Sequence, residues 1–218
     1  MEVTRADIVL RPLAPLTIAD FQDLLSHYTT SQRYIVTQEV TQNRHHDAET
    51  QKGAIAGGLP GKVSLAMELV QLDEPQQVTE WVPDQEDVGR YNDALSHGLS
   101  YGAYAKGEKE EEEQMVGLVV AEHRKWNNTV WVWEVHVHKD WRGKGVGSRL
   151  MEALVDSARD KLKASMIVCE TQALNVPAIG FYARQGFRFD GIDVSYYRED
   201  GLKQQDIAVF MKLPLLYS

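Results

Sequence analysis

The chain predicts an α/β fold with a mixed sheet, and three stretches predict it. The first is Val130 to His138, a run rich in β-branched and aromatic residues that reads as a buried strand. It passes through a glycine-spaced turn into a helix in which Leu150, Leu154, Ala158 and Leu162 recur every four residues, flanked by Met151 and Val155. The second is Met166 to Thr171, another buried strand. Behind it comes a helix with Asn175 as N-cap, Pro177 in its first turn and Gly186 where a C-cap belongs. The third is a closing pair of strands, Phe187 to Tyr197 and Asp206 to Leu213, with Asp200-Gly201 as the hairpin signal. Strand, helix, strand, helix and hairpin in that order make a mixed sheet flanked by helices.

The first half is less regular. Ile8 to Leu13 alternates as a strand, and Thr17 caps a helix through about Tyr28 with Ile18, Phe21, Leu24 and Leu25 on one side. Thr29 to Leu59 is polar and reads as a loop or weak helix leaving through Gly57-Gly58-Leu59-Pro60-Gly61. Val63 to Leu72 suits a strand or a short helix. Asp73 to Asp93, with Pro75 and Pro83, reads as loop with one helical turn. Leu95 to Ala105 is strand-like, and Lys106 to Glu113 is an exposed acidic turn. Met115 to Arg124 pairs back, and Asn127-Asn128 turns the chain into the central strand.

Composition narrows the function. At 218 residues one domain, 1–218, is expected, and 43% hydrophobic with 25% charged residues suits an ordinary globular protein. No apolar run reaches membrane-spanning length, and Met1-Glu2-Val3 lacks the basic and apolar parts of a signal peptide, so the expectation is a cytoplasmic protein without a membrane partner. The single cysteine, Cys169, suits a reducing compartment and reads as a small core residue. A net charge of −9 argues against nucleic acid and favours a cationic substrate. His45, His46 and Asp47 invite a metal, but adjacent histidines point apart and no second ligand pair stands at zinc spacing, so no metal is expected.

The chemistry gathers at Trp141-Arg142-Gly143-Lys144-Gly145-Val146-Gly147-Ser148. Glycines remove side chains where the backbone turns and where something approaches closely, and the helix start behind them offers free amides to an anion. Arg142 and Lys144 add positive charge. The spacing is neither Gly-x-x-x-x-Gly-Lys-Ser/Thr nor Gly-x-Gly-x-x-Gly, which excludes a Walker loop and the dinucleotide fingerprint. It is Arg-x-x-Gly-x-Gly, at Arg142, Gly145 and Gly147.

That pattern resembles the coenzyme A pyrophosphate loop of the GCN5-related N-acetyltransferases (GNAT). The resemblance continues in Glu170-Thr171-Gln172, Asn175, Ala178, Phe181-Tyr182 and Gly186-Phe187. With Arg124-Lys125-Trp126-Asn127 ahead of the core strand it is most similar to the streptothricin acetyltransferases. It covers roughly residues 114–213. It implies a GNAT fold, with a mostly antiparallel mixed sheet splayed where acetyl-CoA enters. It also implies acetyl transfer to a primary amine of a small cationic molecule, streptothricin above all, in a ternary complex. Protein lysine or N-terminal acetylation and a non-catalytic acyl-CoA sensor are the competing readings. Oligomeric state is left as monomer or homodimer.

The resemblance also implies roles. Arg142, Gly143, Lys144, Gly145, Val146, Gly147 and Ser148 would hold the pyrophosphate, Val135, His136 and Val137 the pantetheine arm, and Asn175 and Tyr182 would also meet the coenzyme. Tyr182 stands where the family places its general acid. Glu134 aligns with the second of two acids common in streptothricin-type enzymes, whereas Trp133 replaces the first. By strand alternation, Val132, Glu134, His136 and His138 share one face and Trp131, Trp133, Val135 and Val137 the other. The base is therefore Glu134, with His136 or a water chain as alternatives.

Overall fold

From Ile8 onward the elements are β1 (Ile8–Pro12), α1 (Ile18–Leu24), β2 (His27–Gln42), β3 (Pro60–Thr79), α2 (Gln85–Leu95), β4 (Tyr101–Lys106) and β5 (Glu113–Arg124). There follow β6 (Thr129–Val137), α3 (Val146–Asp160), β7 (Met166–Gln172), α4 (Val176–Arg184), β8 (Arg188–Asp193) and β9 (Ala208–Pro214). This computed structural model describes residues 8–25, 27–42, 60–106, 113–197 and 207–215. The His45-His46-Asp47 string, Glu110 to Glu112 and Asp200-Gly201 lie outside them.

Seven strands form one sheet in the order β1-β4-β5-β6-β7-β9-β8, and only β6 and β7 run parallel. The expected mixed, mostly antiparallel sheet is therefore present. On one face, Leu150, Met151, Leu154 and Ala158 of α3 and Ile179 of α4 close over Val119, Ala121, Val130, Val132, Ile167 and Cys169. Leu150, Met151 and Leu154 are essentially solvent-free, worth about 1.5–3 kcal/mol each in burial. On the other face, Phe21 and Leu24 of α1 and Val88, Tyr91 and Ala94 of α2 cover Leu118 and Val120. Cys169 lies in the core as expected, its Sγ donating to the Met211 carbonyl at 3.7 Å, and burial pushes the thiol well above its ordinary range.

The first half departs from expectation. The helix after Thr17 ends at Leu24, and the polar stretch from His27 forms β2, which pairs with β3 in a separate two-stranded sheet. The arm packs on the core through Tyr34, Val36 and Met67 rather than through a continuous buried face, so its strands are half polar and lack the apolar run that marks a core strand. Pro75 does not break β3, because the register slips between Thr30–Gln76 and Gln32–Gln71 and the proline falls in that irregularity. The Asp73 to Asp93 loop is likewise corrected. β3 runs to Thr79, and Asp84 then caps a full helix, accepting from the amides of Glu86 and Asp87 at 2.8 and 3.0 Å. β4 starts only at Tyr101, and β8 stops at Asp193 rather than Tyr197.

Candidate active site

The site is built where the parallel pair fails. β6 and β7 are in register from Thr129–Met166 to Val132–Cys169 only, although β6 continues to Val137 and β7 to Gln172. Beyond that point the strands part, and the β7-facing backbone edge of residues 133–137 is left without a strand partner in the sheet. A bulge sets what faces the gap. Ala121 pairs with Val132 and Val120 with Glu134, so Trp133 is an extra residue. The alternation expected along β6 is thereby corrected. Val132 faces the α3 side with Val135 and Val137, while Trp133, Glu134 and His136 all meet the α1–α2 side.

Glu134 is held by both oxygens. Tyr91 Oη donates to Oε1 at 2.6 Å, and His136 Nε2 donates to Oε2 at 2.7 Å. His136 is itself fixed edge-on against Phe21. Trp133 donates its indole N–H to Glu122 at 3.0 Å and stacks between Trp131 and Tyr91. The neighbouring strand β5 thus sets the Glu122 carboxylate beside Trp133.

Glu170, in the Glu170-Thr171-Gln172 motif, is the second carboxylate at the gap. It lies on β7 one residue past the last pair with β6, and Tyr197 Oη donates to its Oε1. Its pKa is pushed up to about 7: burial disfavours the charge, the Tyr197 hydrogen bond opposes this, and the Glu134 charge raises it further. The sequence signals were its place in the Glu170-Thr171-Gln172 motif and a carboxylate in an otherwise buried strand.

Tyr182 enters from α4, 7% exposed, between Phe181 and Phe187. Burial first, then the charges of Cys169, Glu134 and Glu170, raise its phenol well above 10, so it stays protonated across the physiological range.

The loop after β6 is fixed at both ends. His138 N–H bonds the Val116 carbonyl at 2.9 Å, and a single 3-10 turn spans Lys139–Trp141. Gly143 and Gly145 take φ of 75° and 83°, the left-handed region that glycine enters without strain. Gly147 has another reason: a Cβ there would stand 3.1 Å from the Phe181 ring, so its absence lets α3 and α4 approach. The first helical bond of α3 runs from Arg149 N–H to Gly145 O at 3.1 Å, which leaves the amides of Val146, Gly147 and Ser148 without intrahelical acceptors. Ser148 Oγ accepts from Gln185, and Lys144 lies over the Trp141 ring. Asn175 does cap α4, its Oδ1 accepting from Ala178 N–H at 3.2 Å.

Arg142 sits in the loop with its Nη2 bonded to both oxygens of Glu80 at 3.0 and 3.2 Å and its Nε to the Val137 carbonyl. Glu80 follows directly on β3, so the arm is anchored to the loop there. At its middle the arm is anchored again, by Tyr34 N–H to Ala173 O at 3.1 Å and by Tyr34 against Phe189. Asp84 and Asp87 cap α2, and Glu113, at the end of the acidic turn, pairs with Arg11. Among the described residues no group of His, Cys, Asp and Glu is placed to hold a metal.

A family model for the acetyltransferase (GNAT) family matches residues 66–187, more than half of the chain. The chain belongs to the GNAT family. Among known proteins it is similar to the streptothricin acetyltransferase of Streptomyces lavendulae, 31% identical over 100 residues that cover 46% of this chain and 52% of that protein. The matched stretch thus spans about half the length of that relative. Among solved structures, a nourseothricin acetyltransferase aligns with a TM-score of 0.64 at 23% identity, covering 95% of this chain and 98% of that one. A Bacillus anthracis protein assigned as a streptothricin acetyltransferase, solved with acetyl coenzyme A, aligns with a TM-score of 0.63 at 19% identity over 95% and 99%. At those identities the structural likeness shows the GNAT fold alone. It extends to the arm, which the family model only enters in β3.

Proposed function

We propose that this GNAT chain is an acetyl-CoA-dependent N-acetyltransferase acting on a primary amine of a small cationic molecule, streptothricin in the first place. The observation that carries the reading is the gap between β6 and β7, with Glu170 on its rim and the protonated phenol of Tyr182 among its charges. Residues 1–218 are read as one domain, at work in the cytoplasm.

The chain fits the coenzyme on its own features. The unbonded amides of Val146, Gly147 and Ser148, behind a turn open enough that a Cβ on Gly143 would touch nothing within 4 Å, suit the pyrophosphate. The unpaired edge around Val135, His136 and Val137 suits the amides of the pantetheine arm. Acetyl-CoA supplies the acetyl thioester. Arg142 then acts by holding the loop, and Asn175 by starting α4, which carries Tyr182.

The residues divide the proton traffic. Glu170, ionised above about pH 7, takes the proton from the acceptor ammonium and leaves a neutral nitrogen. A backbone N–H on the open edge of β6 stabilises the oxyanion as the C–N bond forms. Tyr182 gives its proton to the departing thiolate as the C–S bond breaks. Glu134, with both oxygens engaged, orients the ammonium and adds to the effect of burial in raising the Glu170 pKa.

The test is release of free coenzyme thiol when purified protein meets acetyl-CoA and a panel of amines including streptothricin. Steady thiol release with streptothricin supports the reading. Release only with peptides bearing lysine or a free N-terminus would move the substrate to proteins, and no release with any amine would leave a coenzyme-binding protein.

A further inference from the structure

Arg124 and Asn127, which have no role in the proposed coenzyme binding and proton transfer, line a cavity of about 320 Å³. The cavity lies on the face of β6, β7 and β9 turned away from α3. Trp131 and Phe210 form its floor, alternating with the core residues Val130 and Met211. The Arg124 guanidinium lies over the Trp131 ring, 4.0 Å from its centroid. Among the described residues no carboxylate pairs with it, so its N–H groups still have capacity for an acceptor. Asn127 stands at the rim, bonded to the Thr129 hydroxyl at 2.8 Å. On the opposite wall Asp190 and Lys212 pair with each other and cancel in charge.

The position gives the cavity its meaning. Phe210 is the Cα partner of Glu170, and Val168, two residues before Glu170, lines the same cavity. Two to three residues of strand span roughly 7–10 Å. The Arg124 guanidinium lies over Trp131, the β6 partner of Val168, so a molecule with its amine at Glu170 that runs along β7 and leans across to β6 crosses an aromatic floor and ends at Arg124. The floor suits a methylene or ring segment. The guanidinium fork suits a planar carbonyl oxygen.

We propose that this cavity is the far half of the acceptor site, with Arg124 binding a planar carbonyl-type oxygen of an amide, carbamoyl or carboxylate group. The site then selects amines that carry such a group about 7–10 Å from the reacting nitrogen. This rests on the reading of the β6–β7 gap as the acetyl-transfer centre.

Three acceptors test it: hexylamine, 6-aminohexanamide and 6-aminohexanoate. For the native protein, kcat/KM for 6-aminohexanamide should exceed that for hexylamine about 10-fold or more, the size of a hydrogen bond to a charged group. In R124M, which keeps a long apolar stem over Trp131, that ratio should fall to about 1, and R124K should keep part of it. The acid arm separates the two oxygen sources: preference for 6-aminohexanoate assigns the site to a carboxylate, preference for the amide to a neutral carbonyl. An equal ratio in the native protein and a folded R124M overturns the proposal. Calorimetry with 6-aminohexanamide separates this from the transfer reading. Arg124-dependent binding without turnover of any amine keeps the cavity and removes the transfer. Binding that ignores Arg124 removes the cavity.

Discussion

Glu170 titrates near neutrality because burial and the Glu134 charge outweigh the hydrogen bond from Tyr197. As the base it must be ionised, so kcat/KM should rise with pH through about 7. E134Q removes the neighbouring charge, which lowers the Glu170 pKa and should move that acid limb to lower pH while activity survives. Activity abolished in E134Q but retained in E170Q would return Glu134 to the role of base. The same shift acts on stability with a definite sign. The folded state holds the Glu170 proton more tightly than the unfolded chain, whose value is near 4.5. That stabilisation is full below about pH 4.5 and is lost as pH rises through about 7. The denaturation midpoint should therefore drop less over that window in E170Q than in the native protein. Y182F deletes one hydroxyl from a packed ring, and should keep the fold and coenzyme binding while kcat falls by roughly 10²-fold. Wild-type kcat in Y182F would leave the residue as packing. The family resemblance pointed to Tyr182 and Glu134, and its motif included Glu170 without a role, because a carboxylate gains one only where two strands separate, and separation leaves no mark on composition.

The loop and the arm answer to each other through Glu80 and Arg142. E80Q removes the charge opposite Arg142, so it should raise the KM for acetyl-CoA several-fold with little change in kcat. It should also speed amide hydrogen exchange in residues 70–79. An unchanged KM with unchanged exchange would show the pair to be a surface ornament, as many exposed ion pairs are. Gly145→Asp places a Cβ at φ 83°, which costs roughly 1–2 kcal/mol, and sets a carboxylate against the pyrophosphate. Calorimetry should show coenzyme binding lost in a folded variant. The elements from β5 to α4 were legible because their strands are dense in buried apolar residues and α3 carries one apolar face. The α2 signal was also there, in Asp84 with Asp87 three residues on and Val88 and Tyr91 behind them, but Pro75 and Pro83 masked it. β2 was missed for a physical reason. An arm anchored at a few points needs β-branched residues such as Thr29, Thr30, Ile35 and Val36, yet it needs no continuous apolar face.

Charge is the property that belongs to the whole molecule. Its net −9 attracts a cationic acceptor at long range, while the acids at the site, Glu122, Glu134 and Glu170, act only on arrival. The sum was readable in the sequence, but its distribution was not, since Asp84, Asp87 and Glu113 are committed elsewhere in the fold. For a multiply charged amine, kcat/KM should fall as salt rises, and for a singly charged amine it should fall less. The most direct measurement is mass spectrometry of streptothricin incubated with the purified protein and acetyl-CoA, beside a Y182F control. The account predicts one added acetyl group on an amine of the antibiotic and little or none with Y182F. Unmodified streptothricin, with no acetyl transfer to any amine in a parallel panel, would contradict it.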